Sequence, residues 1–414
     1  MVIEMDQNIQ KPSIRFKGFT DTWEQCELGR LISKGGSGGT PTSTNPSYYN
    51  GHIPFLSITD ITNSNGFIYS TEKNITELGL INSAAWLVPK EAISLAMYAS
   101  VGKVAILKEN VATSQAFYNL VIDNLSTRDY IFHFLKKMEM NRAWDSLIST
   151  GTQANLNAEK VKNLRITIPA NIDEQSRLGT LFNSIDSLIT LHQRKYDKLV
   201  NTKMALLDKM FPKAGEVTPK LRFRGFTDAW EQCNWKEKVD ILTNMVNPIN
   251  GEYNNLPHIG PGNIESFTGK LLNNVKTVGE DGLISGKFQF EKDDIIYGKI
   301  NPQLGKYVYA PYKGLCSADS YVLRGKNDLK QTFLYTLLQT DKFYKYSVSV
   351  SMRSGMPKIN RSELSAFDFI APTKTEQDKI GTFILSIEKL ITLHQRKYEK
   401  LINIKKALLQ KMFV

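Results

Sequence analysis

Cysteine is scarce: the 414 residues hold three, Cys26, Cys233 and Cys316. An odd and isolated set excludes a disulfide framework and a cysteine-built zinc site, and it points to a reducing cytoplasm. No run of roughly 18 apolar residues occurs, so no membrane span is expected. The opening MVIEMDQNIQ has no apolar core of the kind a signal peptide needs. The five histidines never fall at metal-ligand spacing, so no metal site is expected. Catalytic signatures are missing as well. GGSGG at 35–39 is not followed by Gly-Lys-Ser/Thr, and Gly102-Lys103 and Gly305-Lys306 lack the rest of that phosphate-cradling loop. NPSY at 45–48 comes close to the NPPY of amino-methyltransferases, but no cofactor motif precedes it and Asn50-Gly51 follows, so it reads as a turn. Acid pairs such as Asp293-Asp294 stand without the lysine of a nuclease pattern. The residues make no internal case for an enzyme.

What is present is charge, apolar content and repetition. Lysine and arginine exceed aspartate and glutamate by 52 to 41, a formal +11. That balance favours a polyanionic partner and says nothing of fold. Hydrophobic residues make up 41% and charged residues 22%, enough to build cores over two to four domains.

The chain is a duplication. IRFKGFTDTWEQC at 14–26 matches LRFRGFTDAWEQC at 221–233 in ten of thirteen positions. EQSRLGTLFNSIDSLITLHQRKYDKLVNTKMALLDKMFP at 174–212 matches residues 376–414 in 25 of 39. Between these twins lie two unlike stretches, 27–173 and 234–375. The period is far too long for a solenoid, so the chain is two domain-sized halves. The unlike stretches share faint marks: a Gly-Lys element (ISLAMYASVGKVAIL; DIIYGKINPQLGKYVYA) and a closing Gly loop that ends in Pro (STGTQANLNAEKVKNLRITIP; RSGMPKINRSELSAFDFIAP). They suggest one fold with two surfaces.

The long blocks read as helices. Asn171 and Thr373 precede Glu174 and Glu376 by three, the capping-box spacing, in which the Glu side chain answers a free N–H at the helix start. Pro212 stops the first helix. Apolar positions three and four apart predict a pairing seam: Leu178, Leu181, Ile185, Leu188, His192, Tyr196, Leu199, Leu206 and Met210 in the first helix, and Ile380, Phe383, Ile387, Leu390, His394, Tyr398, Leu401, Leu408 and Met412 in the second. His192 and His394 read as seam packing rather than chemistry. The aromatic residues Phe16, Phe19, Trp23, Phe223, Phe226 and Trp230 of the short blocks are expected to staple each half together.

In the variable stretches, LVPKEAISLAMYA, VAILK and FYNLVID read as strands and YIFHFLKKMEMNRAWDSL as a helix. DDIIYGKI, GKYVYA, SYVLRG and the helix LKQTFLYTLLQTDKFYKYS repeat that order. The expected fold class is α/β (α+β): two small mixed domains separated by a long antiparallel two-helix coiled coil, with internal pseudo-two-fold duplication. The expected order is an aromatic block (1–30), a first variable domain (31–170), a central spacer helix (171–212), a linker with the repeated aromatic block (213–233), a second variable domain (234–372) and a C-terminal spacer helix (373–414).

Two unlike domains between near-identical helices, with both RFxGFTDxW blocks, both Gly-loop-to-Pro endings and both EQ…LITLHQRKYxKL…KMF helices, resemble the specificity subunit of Type I restriction–modification systems over essentially the whole chain. The resemblance implies a non-catalytic cytoplasmic subunit whose two target-recognition domains each read one half of a split sequence in double-stranded DNA. It implies helices that set the gap and dock two modification subunits, which carry S-adenosylmethionine and methylate adenine. Two restriction subunits would supply ATP-driven, Mg²⁺-dependent translocation and cleavage. No cofactor is expected in this chain and no membrane partner. DNA contacts then fall to Lys, Arg, Asn, Gln, Ser and Thr, together with one Tyr, in the marked loops. In the first domain these are Lys34, Ser43, Thr44, Tyr98, Lys103, Thr152, Gln153 and Asn155. In the second they are Lys299, Asn301, Gln303, Lys306, Arg353, Ser354 and Lys358, with Arg353 foremost because its Ser/Gly loop has no neighbouring acid. The rival reading is a non-enzymatic protein-interaction scaffold with duplicated partner-binding helices.

Overall fold

The computed structural model describes residues 11–148, 156–352 and 355–414. The chain divides into two compact units: Met1–Arg194 with Gln395–Val414, and Lys195–His394. The division falls inside both long helices, Ile172–Met210 and Lys374–Met412, which are 39 residues each. Each unit therefore holds one part of each helix.

In the first unit, the strand Ile93–Ala96 lies between Phe117–Val121 and Val104–Leu107, and Lys34–Gly36 pairs the outer side of Phe117–Val121. In the second, Ile295–Gly298 lies between Ser320–Gly325 and Tyr307–Tyr309, and Val239–Ile241 takes the outer place. A second sheet accompanies each. One contains the parallel pairing Phe55↔Ala112, the other the parallel pairing Ile259↔Cys316. The central strands are buried throughout, which explains their unbroken apolar runs. The same frame is thus built twice from unlike sequence.

The helix read from YIFHFLKKMEM is Leu125–Met140. Its counterpart departs from the sequence reading: LKQTFLYTLLQTDKFYKYS forms two helices, Gln331–Leu337 and Asp341–Ser351. Thr340 causes the break, because it leaves the helical conformation and its hydroxyl accepts from the Phe343 N–H.

The short blocks close each unit. Trp23 pairs with Pro169 in the strand Trp23–Glu27, and Glu231–Asn234 pairs Asp368–Ala371 in the same way. Trp23 and Trp230 are buried, Phe19 lies under Arg177, and Phe223 packs edge-on against Phe383. The glutamates at the helix starts do not cap. Glu174 accepts from Arg15 Nε and Nη2 at 2.6 and 2.7 Å, and Glu376 from Arg222 Nε and Nη2 at 2.7 and 2.8 Å. A guanidinium fork satisfies both carboxylate oxygens at once, which one helix N–H cannot do. Asn171 instead accepts from the Asp173 N–H at 2.9 Å.

The helix stripes also differ from the expected seam. Leu188 and Leu390 are each 45% exposed, and Phe383 is turned to the short block. The buried stripe runs Leu178, Phe182 and Ile185 in one unit and Ile380, Ile384 and Ile387 in the other. Leu181, Ile185 and Leu188 have the same four-then-three spacing, so spacing alone does not separate the two faces, and Leu178, Ile185, Ile380 and Ile387 of the expected seam do lie in the buried stripe. Ile185 and Ile387 are buried, while Leu181, His192, Tyr196, Leu199, His394, Tyr398 and Leu401 are half-buried. Within the first unit, Lys405 Nζ donates to Asp186 Oδ1 at 2.6 Å. Within the second, Lys203 Nζ donates to Glu388 Oε1 at 2.5 Å. These are the same two repeat positions, used once in each unit, and within the first unit the pairs Phe182–Phe413 and Asp186–Lys405 run the helices antiparallel.

Candidate nucleic-acid interface

In each unit the Gly-Lys element forms a hairpin tip, and the described chain that follows the loop glycine, from Leu156 in the first unit and at Pro357 and Ile359 in the second, bonds to it. In the first, Met97–Lys103 links Ile93–Ala96 to Val104–Leu107, and the Ala96 N–H donates to the Lys103 carbonyl at 2.9 Å. Met97 receives the chain after the Gly loop: Leu156 N–H donates to its carbonyl at 2.9 Å. Gly102 has φ +86°, and a Cβ there would lie 2.2 Å from the Trp144 ring, so only glycine fits. In the second unit, Lys299–Lys306 forms the tip, and the Gly298 N–H donates to the Lys306 carbonyl at 2.8 Å. Ile359 N–H donates to the Lys299 carbonyl at 3.0 Å, and Asn301 N–H to the Pro357 carbonyl at 2.8 Å. Asn301 itself adopts the left-handed conformation at φ +48°, which Asn tolerates better than most residues.

These tips gather some of the sequence-derived candidates and leave others elsewhere. Tyr98 is 42% exposed on the first tip, and Lys103 Nζ lies 3.7 Å from Glu139. Lys34 pairs with Val121, at the strand end remote from Phe117, which sits opposite Ala96 at the tip. Four residues of strand, about 13 Å, separate those ends, and the Lys34 ammonium rests 5.0 Å over the Trp86 ring. Ser43 and Thr44 are exposed beside the turn that Asn45 caps by accepting from the Ser47 N–H, so the NPSY segment is the expected turn. On the second tip, Gln303 Nε2 donates to Asn301 Oδ1 at 3.4 Å, and Lys358 is exposed. The Lys306 ammonium is held by the Ile264 carbonyl, a structural bond. Thr152, Gln153, Asn155, Arg353 and Ser354 lie outside the described residues.

Arg361 was not among the sequence candidates. It stands at the first position of the helix Arg361–Ser365. Its guanidinium carbon lies 5.9 Å from the Tyr321 ring and 5.9 Å from that of Phe288. Lys299 Nζ lies 5.5 Å from the same Tyr321 ring. Burial pushes the Lys299 ammonium down first. Lys358 and Arg361 add to that, and Asp319 opposes them. The only signal available in the sequence was the cation density of Lys358-Ile-Asn-Arg361.

Burial pushes the Cys316 thiol up to about 12, so it stays protonated at neutral pH. Among the described residues, no three His, Cys, Asp or Glu side chains are placed to hold a metal ion, and no helix is long and apolar enough to cross a membrane.

Comparison with known proteins places this architecture. The family model described as Type I restriction modification DNA specificity domain matches residues 20–201 and 245–403. The chain is 35% identical over 151 residues to the Type I restriction enzyme EcoDI specificity subunit of Escherichia coli, covering 36% of this chain and 33% of that one. It is 24% identical over 211 residues to the MjaIX specificity subunit of Methanocaldococcus jannaschii, 48% of each. The chain thus spans about a third to a half of the length of these curated relatives. A crystal structure of a Type I restriction–modification S subunit from M. genitalium is similar in fold, with a TM-score of 0.63 at 16% identity, over 98% of this chain and 99% of that one. Two matched stretches, one in each variable half and running into its long helix, settle the family: the chain belongs to the Type I restriction modification DNA specificity domain family.

Proposed function

We propose that this chain is the DNA-reading specificity subunit of a Type I restriction–modification complex, and that each unit reads one half of a bipartite target in double-stranded DNA. The observation that carries this is a frame built twice with unlike tips. Met97 and Lys299 occupy equivalent places in the two hairpins, as their backbone hydrogen bonds define them. A repeated frame presents each reader in the same way, and different side chains give each its own base preference. The net charge of +11 suits a phosphate backbone.

The long helices set the gap between half-sites and dock two modification subunits. Support for docking is the repeated exposure of Leu188 with Leu191 and of Leu390 with Leu393, at 44–45%, on the same repeat positions. Like surfaces shown twice suit two like partners. In this reading the chain is not itself catalytic. The modification subunits carry S-adenosylmethionine, two restriction subunits use ATP and Mg²⁺, and the complex works in the cytoplasm.

Methylome sequencing of cells carrying this chain with its modification partner tests the reading. A motif of two short words separated by a fixed nonspecific gap is expected. A continuous motif would overturn it. If the chain were instead a protein-binding scaffold, purified chain would show no salt-dependent affinity for duplex DNA.

A further inference from the structure

The second tip carries a group of cations that has no counterpart among the described residues of the first. Lys299 and Arg361 share the Tyr321 ring, and Arg361 also lies over Phe288. Tyr321 is fixed from below: it is 4% exposed, and its hydroxyl donates to the Ile359 carbonyl at 3.1 Å. Lys358 immediately precedes Ile359, and Ile300 and Lys358 are bridged. Lys358 and Arg361 are exposed. Among the described residues, no carboxylate forms an ion pair with Lys299, Lys358 or Arg361. Asp319, and more weakly Cys316, oppose the lowering of the Lys299 ammonium by burial and by its cationic neighbours. Lys299 and Arg361 share the aromatic platform and Lys358 acts on Lys299 beside them, a like-charge group that an anion would relieve.

The first unit has the same platform without the charges. Tyr118 pairs with Leu95 as Tyr321 pairs with Tyr297, and it is also buried. The place of Lys299 is taken by Met97, which is buried, and that of Arg361 by Ala158. The residue before Leu156 is Asn155, where the second unit has Lys358 before Ile359.

We infer that Lys299, Lys358 and Arg361 form a phosphate anchor on the second unit, so that this unit grips the DNA backbone at a place where the first does not. The inference rests on the DNA-reading function proposed above and adds which residues bear the electrostatic load. Phosphate contacts fix position without reading sequence. The anchor therefore sets affinity and salt dependence, and leaves the target word to the neighbouring polar residues of the tip.

The test is equilibrium binding of the full chain to a duplex of mixed sequence over a range of salt. The combined variant Lys299→Gln, Lys358→Gln, Arg361→Gln is expected to lower the slope of log K against log salt by about 0.9 per lost contact, roughly 2.7 in all. Arg361→Gln alone should lower it by about 0.9, and Arg361→Lys should restore it, because charge rather than a planar fork is what a phosphate anchor needs. Should Lys299→Gln disturb folding, the Lys358→Gln, Arg361→Gln pair should still lose about 1.8. The methylated motif in cells should stay the same. A wild-type slope in the combined variant overturns the anchor. So does a changed motif with an unchanged slope, which would make these residues base readers. If the unaltered chain shows no salt-dependent binding, the DNA-reading function itself fails and the anchor falls with it.

Discussion

His133 shows how much a single buried side chain decides. It is fully enclosed, with Nε2 3.0 Å from Asn183 Oδ1 and Nδ1 4.0 Å from Asp186 Oδ2. Asn183 Nδ2 donates to Asp129, which leaves its oxygen to accept from the imidazole. Burial, then the nearby Lys405, hold His133 well below the ordinary histidine range, so it is neutral in the folded chain. The unfolded chain takes up that proton below about pH 6.5, and the folded chain does not. Stability of the first unit should therefore be full above pH 6.5 and fall as pH is lowered, and His133→Gln should flatten that slope in urea titrations. Asp186 beside it is pushed up and Lys405 down, in both cases chiefly by burial. Lys405→Met strands a buried carboxylate and should cost roughly 3–5 kcal/mol. Adding Asp186→Leu should recover most of the loss. An unchanged midpoint in the single variant would show that the pair is not buried in solution.

At the scale of elements, the duplication was legible because it was written in identity. The central strands were legible because burial on both faces forces unbroken apolar runs. The helix stripes were legible in part: Leu178, Ile185, Ile380 and Ile387 lie on the buried side as read, whereas Leu188 and Leu390 are exposed and the buried Phe182 and Ile384 were not in the reading. Pattern alone could not tell those faces apart, because both carry leucine or isoleucine. The Arg15–Glu174 and Arg222–Glu376 clasps were invisible for another reason: their partners lie 159 and 154 residues apart, and the local capping rule accounted for the glutamates first. Of the candidate interface, the Gly-Lys elements that form the hairpin tips could be read, but the placing of Arg361 and the anchoring of Lys306 on a carbonyl depend on how loops fold back. Both glutamates are buried, at 1% and 0% side-chain exposure. Arg15→Ala and Arg222→Ala should each destabilise by about 3 kcal/mol, each in its own unit, as local hydrogen exchange would report. Uniform loss across both units would contradict a local clasp.

For the whole molecule, the division inside the helices makes two predictions. Four residues inserted after Leu199 should lengthen the nonspecific gap of the methylated motif and leave both half-sites as they were. A changed half-site with an unchanged gap would refute the spacer role. Second, the first unit is closed by Phe413, which stacks on Tyr130 at 4.9 Å and meets Phe182 edge-on at 5.4 Å. The second is closed by Phe211 against Trp230 and Phe333. Because the segments around Phe211 and Phe413 read alike, a chain ending at Pro212 should pair with a second copy, each lending its tail to the other. Light scattering should give twice the chain mass, and a compact single copy would refute the exchange.

The same closure sets an order on synthesis. The unit that leaves the ribosome first lacks part of its core until residues 395–414 emerge. At about 5–20 residues per second, that wait lasts on the order of 10–40 s. Throughout it, the look-alike segment ending in Phe211 is already at hand and can occupy the vacant groove. A nascent chain held in that way would have to release the segment before its second unit closes, which pulse-labelled hydrogen exchange would show as late protection of the second core.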